Sequence, residues 1–408
     1  MAIPTEKKYV KLLMISDQNN NKFYEMIYEG NGSTFTVKYG RVESTSTTLT
    51  KPIKEWDSIY REKTKKGYKD VTEMVAIEVE EKADTEKDAV YQPISISSVN
   101  SFIELMRSYT DGLVKKTYTV KAKNVSRKQV DEAQRLINEI TAIAETKDEK
   151  QINPKLLELY AVIPRFMSNV KFHLLPNLDL AKALVQEQDN IDAMSSQVAA
   201  IEASKKDKKE DSPTEKAKLN TFLDSMGVSM IEATEKGKSD FKYILDQLSG
   251  KKIKGIFEVK KPTEDSIYEK WMASQENKAS RFLIHGTRCS SVIPIIREGL
   301  KIRPTGNFQF SGKVYGDGNY FSEVTSKSLN YTGYDNDQIL LVYEVHTGNP
   351  FTYNGWYNGN SFTLNYPELK KRGYDRTYVK AGNGLLNSEI IAYKEEQCHI
   401  KYIIWLNR

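Results

Sequence analysis

Short strand-like runs open the chain. YVKLLMIS, KFYEMIYEG and FTVKYGRVES mix apolar and polar positions over strand lengths and are separated by the turn-forming stretches DQNNN and GNGS. IKEWDSIYREKTKKGY then changes period. Ile53, Trp56, Ile59 and Tyr60 fall on one helical face, and Gly67 stands where a helix stops. This predicts a small β-rich unit with one helix over 7–80.

From 93 to 203 the period is helical throughout. Phe102, Leu105, Met106 and Tyr109 share a face. Ser126 with Gln129 forms a capping-box pattern, and Val130, Ala133, Ile137 and Ile140 follow it. Asn153-Pro154 reads as an N-cap with proline in the first helical position; Leu156, Leu157, Tyr160 and Ala161 supply the buried face, and Pro164 ends the helix. LAKALVQEQDNIDAMSSQVAAIEA predicts a further helix or helix pair. The charged stretch SKKDKKEDSPTEK, 204–216, reads as a linker. Beyond 217 the pattern is mixed, with RFLIHGT, QILLVYEV, SEIIAYK and CHIKYIIWL as strands. In the last, Ile400, Tyr402, Ile404 and Leu406 are set against Lys401, Ile403 and Trp405. The long segment 346–388 reads as a functional loop. The expected class is multidomain α+β: 1–92 small and β-rich, 93–203 a helical bundle, 204–216 linker, and 217–408 a mixed α/β domain.

A length of 408 residues suits two or three domains, and 39% hydrophobic with 28% charged residues suits packed cores. Two cysteines, Cys289 and Cys398, cannot build a zinc finger or a disulfide framework. Four histidines show no metal-ligand spacing, so no metal is expected. No apolar run reaches membrane-span length and no signal-type stretch opens the chain, so the expectation is an intracellular protein. A net charge of +5 is compatible with a nucleic-acid partner.

Candidate chemistry gathers in the last domain. In GDGNYFSEVTSKSLNY, 316–331, a glycine turn precedes Tyr320-Phe321. Ser322 is placed to cap a helix from Glu323 to about Tyr331. On that helix Val324, Ser328 and Tyr331 share a face, with Lys327 four residues before Tyr331. With Tyr320 on the opposite wall, two rings and a hydroxyl define a slot for a planar amide. The plainer reading is that tyrosine is common here, 24 in all, and each ring is a core anchor. Gly-x-Gly as a phosphate loop lacks the Lys-Ser/Thr that should follow. His285 closes an apolar strand before Gly286, where a ligand can approach the backbone. Glu389 opens another strand after a glycine-rich loop, and reads either as a catalytic carboxylate or as a solvated strand-end charge.

Taken in order, LIHGTR, GLKI, GDGNYFSEVTSKSLNY and SEIIAY resemble the catalytic domain of poly(ADP-ribose) polymerases, whose hallmark is a His-Tyr-Glu triad; His285, Tyr320 and Glu389 stand in its places. NVSRKQVDEAQRLINEI and LELYAVIPRF look like the helical regulatory domain of the DNA-dependent members, and VKYGRVES resembles their WGR domain. The resemblance implies an NAD+ ADP-ribosyltransferase that releases nicotinamide, with NAD+ as substrate and no metal. It implies that Gly286 and Ser328 hold the carboxamide and that Tyr331 stacks on the nicotinamide with Tyr320 opposite. His285 would bind the adenosine-side ribose, and Glu389, helped by Lys327, would stabilise the cation and polarise the acceptor. Thr287, Lys301, Tyr315 and Phe321 complete the expected NAD+ set, and Tyr39, Gly40 and Arg41 the expected DNA-binding or interdomain set.

The resemblance further implies a monomer stimulated by DNA breaks, modifying itself and other protein or nucleic-acid acceptors, with the helical domain obstructing NAD+ until DNA engages. The location would be nuclear in a eukaryote and DNA-associated cytoplasm in a bacterium or virus. Five positions depart from the family pattern. Tyr39 replaces the name-giving tryptophan, Glu43 and Ser44 stand where glycine is usual, Lys313 replaces a frequent aromatic, and Lys301 replaces an arginine at the adenylate end. Tyr39 is still flat, which implies weaker nucleic-acid contact. The alternatives are a mono-ADP-ribosyltransferase, a DNA-binding scaffold with an inactive transferase fold, or an exported toxin, which the missing export signal disfavours.

Overall fold

The computed structural model describes residues 6–42, 44–74, 91–207, 221–306, 308, 313–354, 364–382 and 385–408. The chain forms two compact units: Met1–Asp88 with Val114–Met194, and Ala89–Leu113 with Ser195–Arg408.

In the first unit, strands β1 (Lys8–Ser16), β2 (Asn20–Tyr28), β3 (Thr34–Arg41), β4 (Thr47–Pro52) and β5 (Lys69–Asp70) form an antiparallel sheet in the order β4-β3-β2-β1-β5. Helix α1 (Trp56–Lys65) buries Trp56 and Ile59 against Leu12, Met26, Phe35 and Val37. Phe35 meets the Trp56 ring edge-on at 4.9 Å. Gly67 stops α1 with φ +89°, which a side chain would resist. The strands and helix expected over 7–80 are therefore present, with β4 and β5 in addition; Thr47–Pro52 is mostly exposed and Lys69–Asp70 very short, so neither has a strand-like apolar run.

Four helices follow: α2 (Ser97–Thr117), α3 (Arg127–Ile143), α4 (Glu149–Val162) and α5 (Leu180–Asp207). The Ser126–Gln129 capping box is in place, and Val130, Ala133, Ile137 and Ile140 are buried. The start of α4 corrects the expected one. Asp148 caps it by accepting from Lys150 N, so Pro154 lies inside the helix. The Asn153 side chain instead ties α4 to Leu175, accepting from its N–H at 2.9 Å and donating to its carbonyl at 3.0 Å. LAKALVQEQDNIDAMSSQVAAIEA forms one helix, and α5 runs on through 204–207 of the expected linker; 208–216 lies outside the described residues.

The second unit holds two sheets. One is antiparallel, in the order β6 (Ser229–Glu232), β7 (Ile253–Lys260), β14 (Cys398–Asn407), β10 (Asp337–His346), β8 (Ser280–Thr287). The other runs β11 (Pro350–Asn354), β12 (Arg376–Lys380), β13 (Glu389–Ala392), β9 (Asn319–Phe321), with β11 parallel to β12. Both faces of the first sheet are covered. Ile403 and Leu341 pack into one core with Phe102 and Ile103 of α2, while Ile404, Leu340 and Tyr402 pack into another with Phe241 and Ile244. Residues on both sides of β14 are therefore buried, Tyr402, Ile403 and Ile404 among them. Phe102 is fully buried, 5.0 Å from the Phe257 ring and 5.5 Å from Trp405. A side chain of that kind contributes roughly 1.5–3 kcal/mol.

The segment 346–388 is not the long irregular loop expected. It contains β11, helix α11 (Tyr366–Lys371) and β12; 355–363 and 383–384 lie outside the described residues. Among the described residues the second unit also holds α6 (Glu235–Asp240), α7 (Lys242–Asp246), α8 (Pro262–Ala273), α9 (Cys289–Glu298) and a short helix at Thr325–Leu329. Among the described residues no helix is long and apolar enough to cross a membrane. The free cysteines Cys289 and Cys398 are both buried.

Candidate active site

Strand β9 joins the two sheets. Tyr320 pairs with Ile391 and Phe321 with Ile390 on β13, and one residue later Ser322 bridges Ile284 of β8, each donating to the other's carbonyl at 2.9 Å. His285, Tyr320 and Glu389 are 35 to 104 residues apart in sequence, and this seam puts their strands side by side.

The bridge also sets the direction of the backbone at Gly286. In an antiparallel ladder, backbone groups alternate between facing the partner strand and facing away. Ile284 faces away from β10, towards Ser322. Two residues on, the N–H and C=O of Gly286 face the same way. The position admits only glycine: a Cβ there would lie 1.8 Å from the carbonyl oxygen of Ser328 and 2.6 Å from its carbon.

Ser328 belongs to the short helix α10 (Thr325–Leu329). This is shorter than the expected Glu323–Tyr331. Ser322 does not cap it; its hydroxyl accepts from Val324 N at 3.0 Å, turning the chain one residue before the N-cap, Val324. Thr325 and Ser328 are buried, while Tyr331, two residues past the helix, is 42% exposed. Gly286 and Ser328 thus lie in close backbone approach, and the Tyr331 side chain is partly open to solvent.

The glycines act as a turn. Gly316 has φ +89°, and a Cβ there would lie 2.2 Å from Leu364 O. A Cβ on Gly318 would meet Ile391 Cγ2 at 2.5 Å. The Tyr320 hydroxyl is engaged by the same turn, accepting from Tyr315 N at 2.7 Å and donating to Gly316 O at 2.8 Å. Burial, with Tyr393 nearby, pushes its ionisation far above the usual tyrosine range. Tyr320 therefore presents a fixed ring. Tyr315 and Phe321, expected among the NAD+ contacts, are 0% and 2% exposed and pack in neighbouring cores. Tyr393, which sequence reasoning missed, donates to Tyr315 O at 2.8 Å and backs this turn. Its only sequence signal is its position four residues after Glu389.

His285 Nδ1 lies 3.0 Å from Tyr320 O. A carbonyl only accepts, so Nδ1 carries the proton and Nε2 of the neutral ring is an acceptor. Burial, outweighing the Tyr320 carbonyl, holds the imidazole below its ordinary pKa and keeps it neutral. Glu389 is 8% exposed and pairs with the Lys327 ammonium, whose other contacts are Asn387 O at 3.4 Å and Ser388 O at 3.5 Å. Burial lowers the Lys327 pKa, and Glu389 opposes that shift. A carboxylate this buried needs such a partner.

Thr287 is buried at the end of β8. Lys301 pairs with Glu395 at 2.7 Å, whose other oxygen accepts from Ile302 N at 3.0 Å. Lys313, at the position of the frequent aromatic, is buried, pairs with Asp317 at 2.6 Å and donates to Gly306 O. Asp317 also accepts from Gly306 N at 3.0 Å, so this pair ties Gly306 to Lys313 and Asp317. Among the described residues no group of His, Cys, Asp and Glu has the arrangement of a metal site.

The N-terminal candidates lie together at the end of β3. Tyr39 is 36% exposed and stacks on Tyr24 at 5.8 Å, with the Lys63 ammonium 4.4 Å from the Tyr24 ring centre. Gly40 passes close to Thr45, whose carbonyl would lie 3.1 Å from an added Cβ. Arg41 donates to Asn19 O at 2.7 Å, Asn19 Oδ1 at 2.9 Å and Ser168 O at 2.7 Å. Asn19, in the left-handed region with φ +63°, also accepts from Val170 N at 3.0 Å. Arg41 thus braces the small sheet against 167–170 of the helical region. Glu43 lies outside the described residues, and Ser44 donates its N–H to Arg41 O at 3.1 Å.

Comparison with known proteins adds independent findings. Residues 239–361 match the family model of the poly(ADP-ribose) polymerase catalytic domain, and 9–75 match that of the WGR domain. The chain is 58% identical over 177 residues to the poly(ADP-ribose) polymerase-like protein 100L of Invertebrate iridescent virus 6, covering 43% of this chain and 97% of that one. An uncharacterised protein of the same virus, 101L, is 46% identical over 190 residues, covering 47% and 77%. Poly(ADP-ribose) polymerase 1 of Gallus gallus is 25% identical over 312 residues, covering 69% of this chain and 30% of that one.

Proposed function

Because the chain belongs to the poly(ADP-ribose) polymerase family, we propose that the seam between its two C-terminal sheets binds NAD+ and carries out transfer there. The protein is an NAD+ ADP-ribosyltransferase. The observation that carries the site assignment is the β8–β9–β13 junction, which gathers Gly286, His285, Tyr320 and the Glu389–Lys327 pair.

In the proposed reaction the outward backbone of Gly286 and the Ser328 hydroxyl hold the nicotinamide carboxamide. Tyr320 and Tyr331 provide the ring walls, and His285 Nε2 accepts from a ribose hydroxyl. Thr287 and Lys301 lie towards the adenosine end. The bond between ribose C1′ and the nicotinamide nitrogen breaks, and its electron pair leaves with neutral nicotinamide. The sugar becomes oxocarbenium-like. Glu389 places negative charge beside it and draws the proton from the acceptor hydroxyl as the new C1′–O bond forms. The Lys327 ammonium, paired with Glu389, holds that carboxylate in place. No step calls for a metal. Measuring nicotinamide release with and without nicked DNA tests activity and DNA coupling together. A chain inert in both arms overturns the assignment.

We read the activity as DNA-break-stimulated poly(ADP-ribosyl)ation that includes automodification, with 1–92 as the nucleic-acid-binding domain, 93–203 regulatory and 217–408 catalytic. The viral and avian relatives' names support the poly(ADP-ribose) polymerase part of this reading, and the WGR match supports nucleic-acid binding. Mono-ADP-ribosylation gives a single band instead of a ladder on a denaturing gel. Tyr39→Ala and Arg41→Ala are each expected to lower DNA-stimulated activity several-fold more than basal activity; equal loss in both assays removes the role of this face. The exposed Tyr39 ring supplies contact to nucleic acid, and Arg41 carries the consequence into the helical region through Ser168.

If the helical region restrains the transferase until nucleic acid binds, removing it releases the activity. The packing decides where to cut. Deleting 93–203 takes Val99, Phe102, Ile103 and Met106 out of the catalytic core. Deleting 114–194 spares them, and the cut ends lie close, since Gln197 donates to Asp111 at 2.7 Å. The 114–194 deletion is expected to release nicotinamide at the same rate with and without DNA. A folded deletion that stays inert refutes the restraint.

A further inference from the structure

The helix that carries Lys327 and Ser328 spans only Thr325–Leu329. A helix this short has little stability of its own, because nucleation fixes several residues for very few hydrogen bonds. Its N-cap is Val324, which has no side-chain oxygen to satisfy the first free N–H groups. Yet the helix must hold Ser328 against Gly286 and Lys327 against Glu389.

The missing cap comes from 78 residues earlier in the chain. Gln247 Oε1 accepts from Thr325 N at 3.0 Å, and Gln247 Nε2 donates to Glu323 O at 2.9 Å. Both ends of one amide are thus used on the backbone either side of Val324. The same Nε2 lies 3.1 Å from Tyr243 O, which fixes the side chain over its own helix end. Gln247 stands at the end of α7 on a firm base: Ile244 before it and Leu248 after it are 0% and 2% exposed. From the same helix the Tyr243 hydroxyl donates to Phe282 O on β8, the strand of His285 and Gly286. One short bracket therefore holds both walls of the site, β8 through Tyr243 and α10 through Gln247.

We propose that Gln247 is a positioning residue for transfer, its side-chain amide capping α10 and so setting Lys327 against Glu389 and Ser328 against Gly286. This rests on reading the seam as the NAD+ site. Gln247 is exposed, so its hydrogen bonds add little to global stability, but small displacements of reacting groups are expensive in rate.

The experiment uses the full chain and reads nicotinamide release from NAD+. Gln247→Met keeps the length and removes both hydrogen bonds; kcat/KM is expected to fall about tenfold, with the melting temperature nearly unchanged. Gln247→Glu keeps an acceptor for Thr325 N and is expected to recover part of the loss. In a double-mutant cycle, Gln247→Met should cost much less once Lys327→Met is present, because the helix then has less to position. Full additivity with Lys327→Met, a Gln247→Met variant as fast as wild type, or a loss accounted for entirely by unfolded protein overturns the proposal. Glu389→Gln is measured alongside. If it still transfers, the NAD+-site reading fails and this inference with it; if it is inactive and the cycle is additive, only the role of Gln247 falls.

Discussion

Glu389→Gln binds NAD+ nearly as well as the wild type and loses transfer by about 10²–10³-fold, the scale found when one electrostatic group is removed from a transition state. The side chains are almost the same size, so the packing around Ile390, Phe321 and Tyr378 is kept. What disappears is the charge beside the developing cation and the base for the acceptor proton. Those terms act mainly in the transition state, so kcat falls and NAD+ affinity does not. The substitution also leaves Lys327, 12% exposed at its side chain, beside a neutral group. Its carbonyl contacts at Asn387 and Ser388 remain, which limits the cost of the unpaired ammonium. The expected stability loss is therefore small. Calorimetric titration with NAD+, single-turnover transfer and a thermal melt measure the three quantities. Rapid automodification by Glu389→Gln would rule the carboxylate out.

Gly286→Ala has the next largest effect. The added methyl would stand 1.8 Å from Ser328 O and 3.2 Å from Ser328 Cα. These are backbone atoms, so no rotamer change relieves the contact; β8 and α10 must separate. Overpacking of this kind costs typically 1–3 kcal/mol, and more where neighbours cannot yield. The activity loss exceeds the stability loss, because the parts driven away carry Ser328 and Lys327. A fall in kcat/KM of about 10²-fold or more is expected, together with a lower melting temperature. Gly112→Ala is the control. Gly112 lies in α2 with no atom within 4 Å of an added Cβ, so alanine there should raise stability by about 0.5–1 kcal/mol and leave activity alone. If both alanines behave alike, the close approach of α10 to β8 is not what holds the site together.

Legibility in the sequence followed the range of the interactions. The Ser126–Gln129 box, the α1 face and the strand runs were readable because capping and amphipathic burial link residues within a turn or two. The start of α4 was misplaced because Asp148 and Asn153 both carry capping chemistry, and only the packing of 153 against Leu175 shows which one caps. The strand-end positions of His285 and Glu389 and the glycine turn before Tyr320 were visible as isolated signals. Family resemblance, not spacing, joined them. The burial of Tyr315 and Phe321 is not legible, because an aromatic looks the same in sequence whether its ring is buried or exposed. Gln247 carried no signal, since a polar residue on an exposed helix end is the commonest thing in a soluble protein.

By itself, the amino-acid sequence determined the local elements, the change from strand-rich to helical to mixed segments, and the residue types that transfer chemistry requires. These follow from periodicity, turn preference and functional-group identity, all of which act over a few residues. The tertiary structure alone decided that β9 bridges two sheets, that Gly286 turns its backbone outward, that Tyr320 uses its hydroxyl on its own turn, and that a glutamine 78 residues upstream caps the helix of Lys327. Those features depend on strand pairing and close packing between segments far apart in the chain. No local pattern encodes which of several equally apolar strands will lie beside another, and the site exists only once that choice is made.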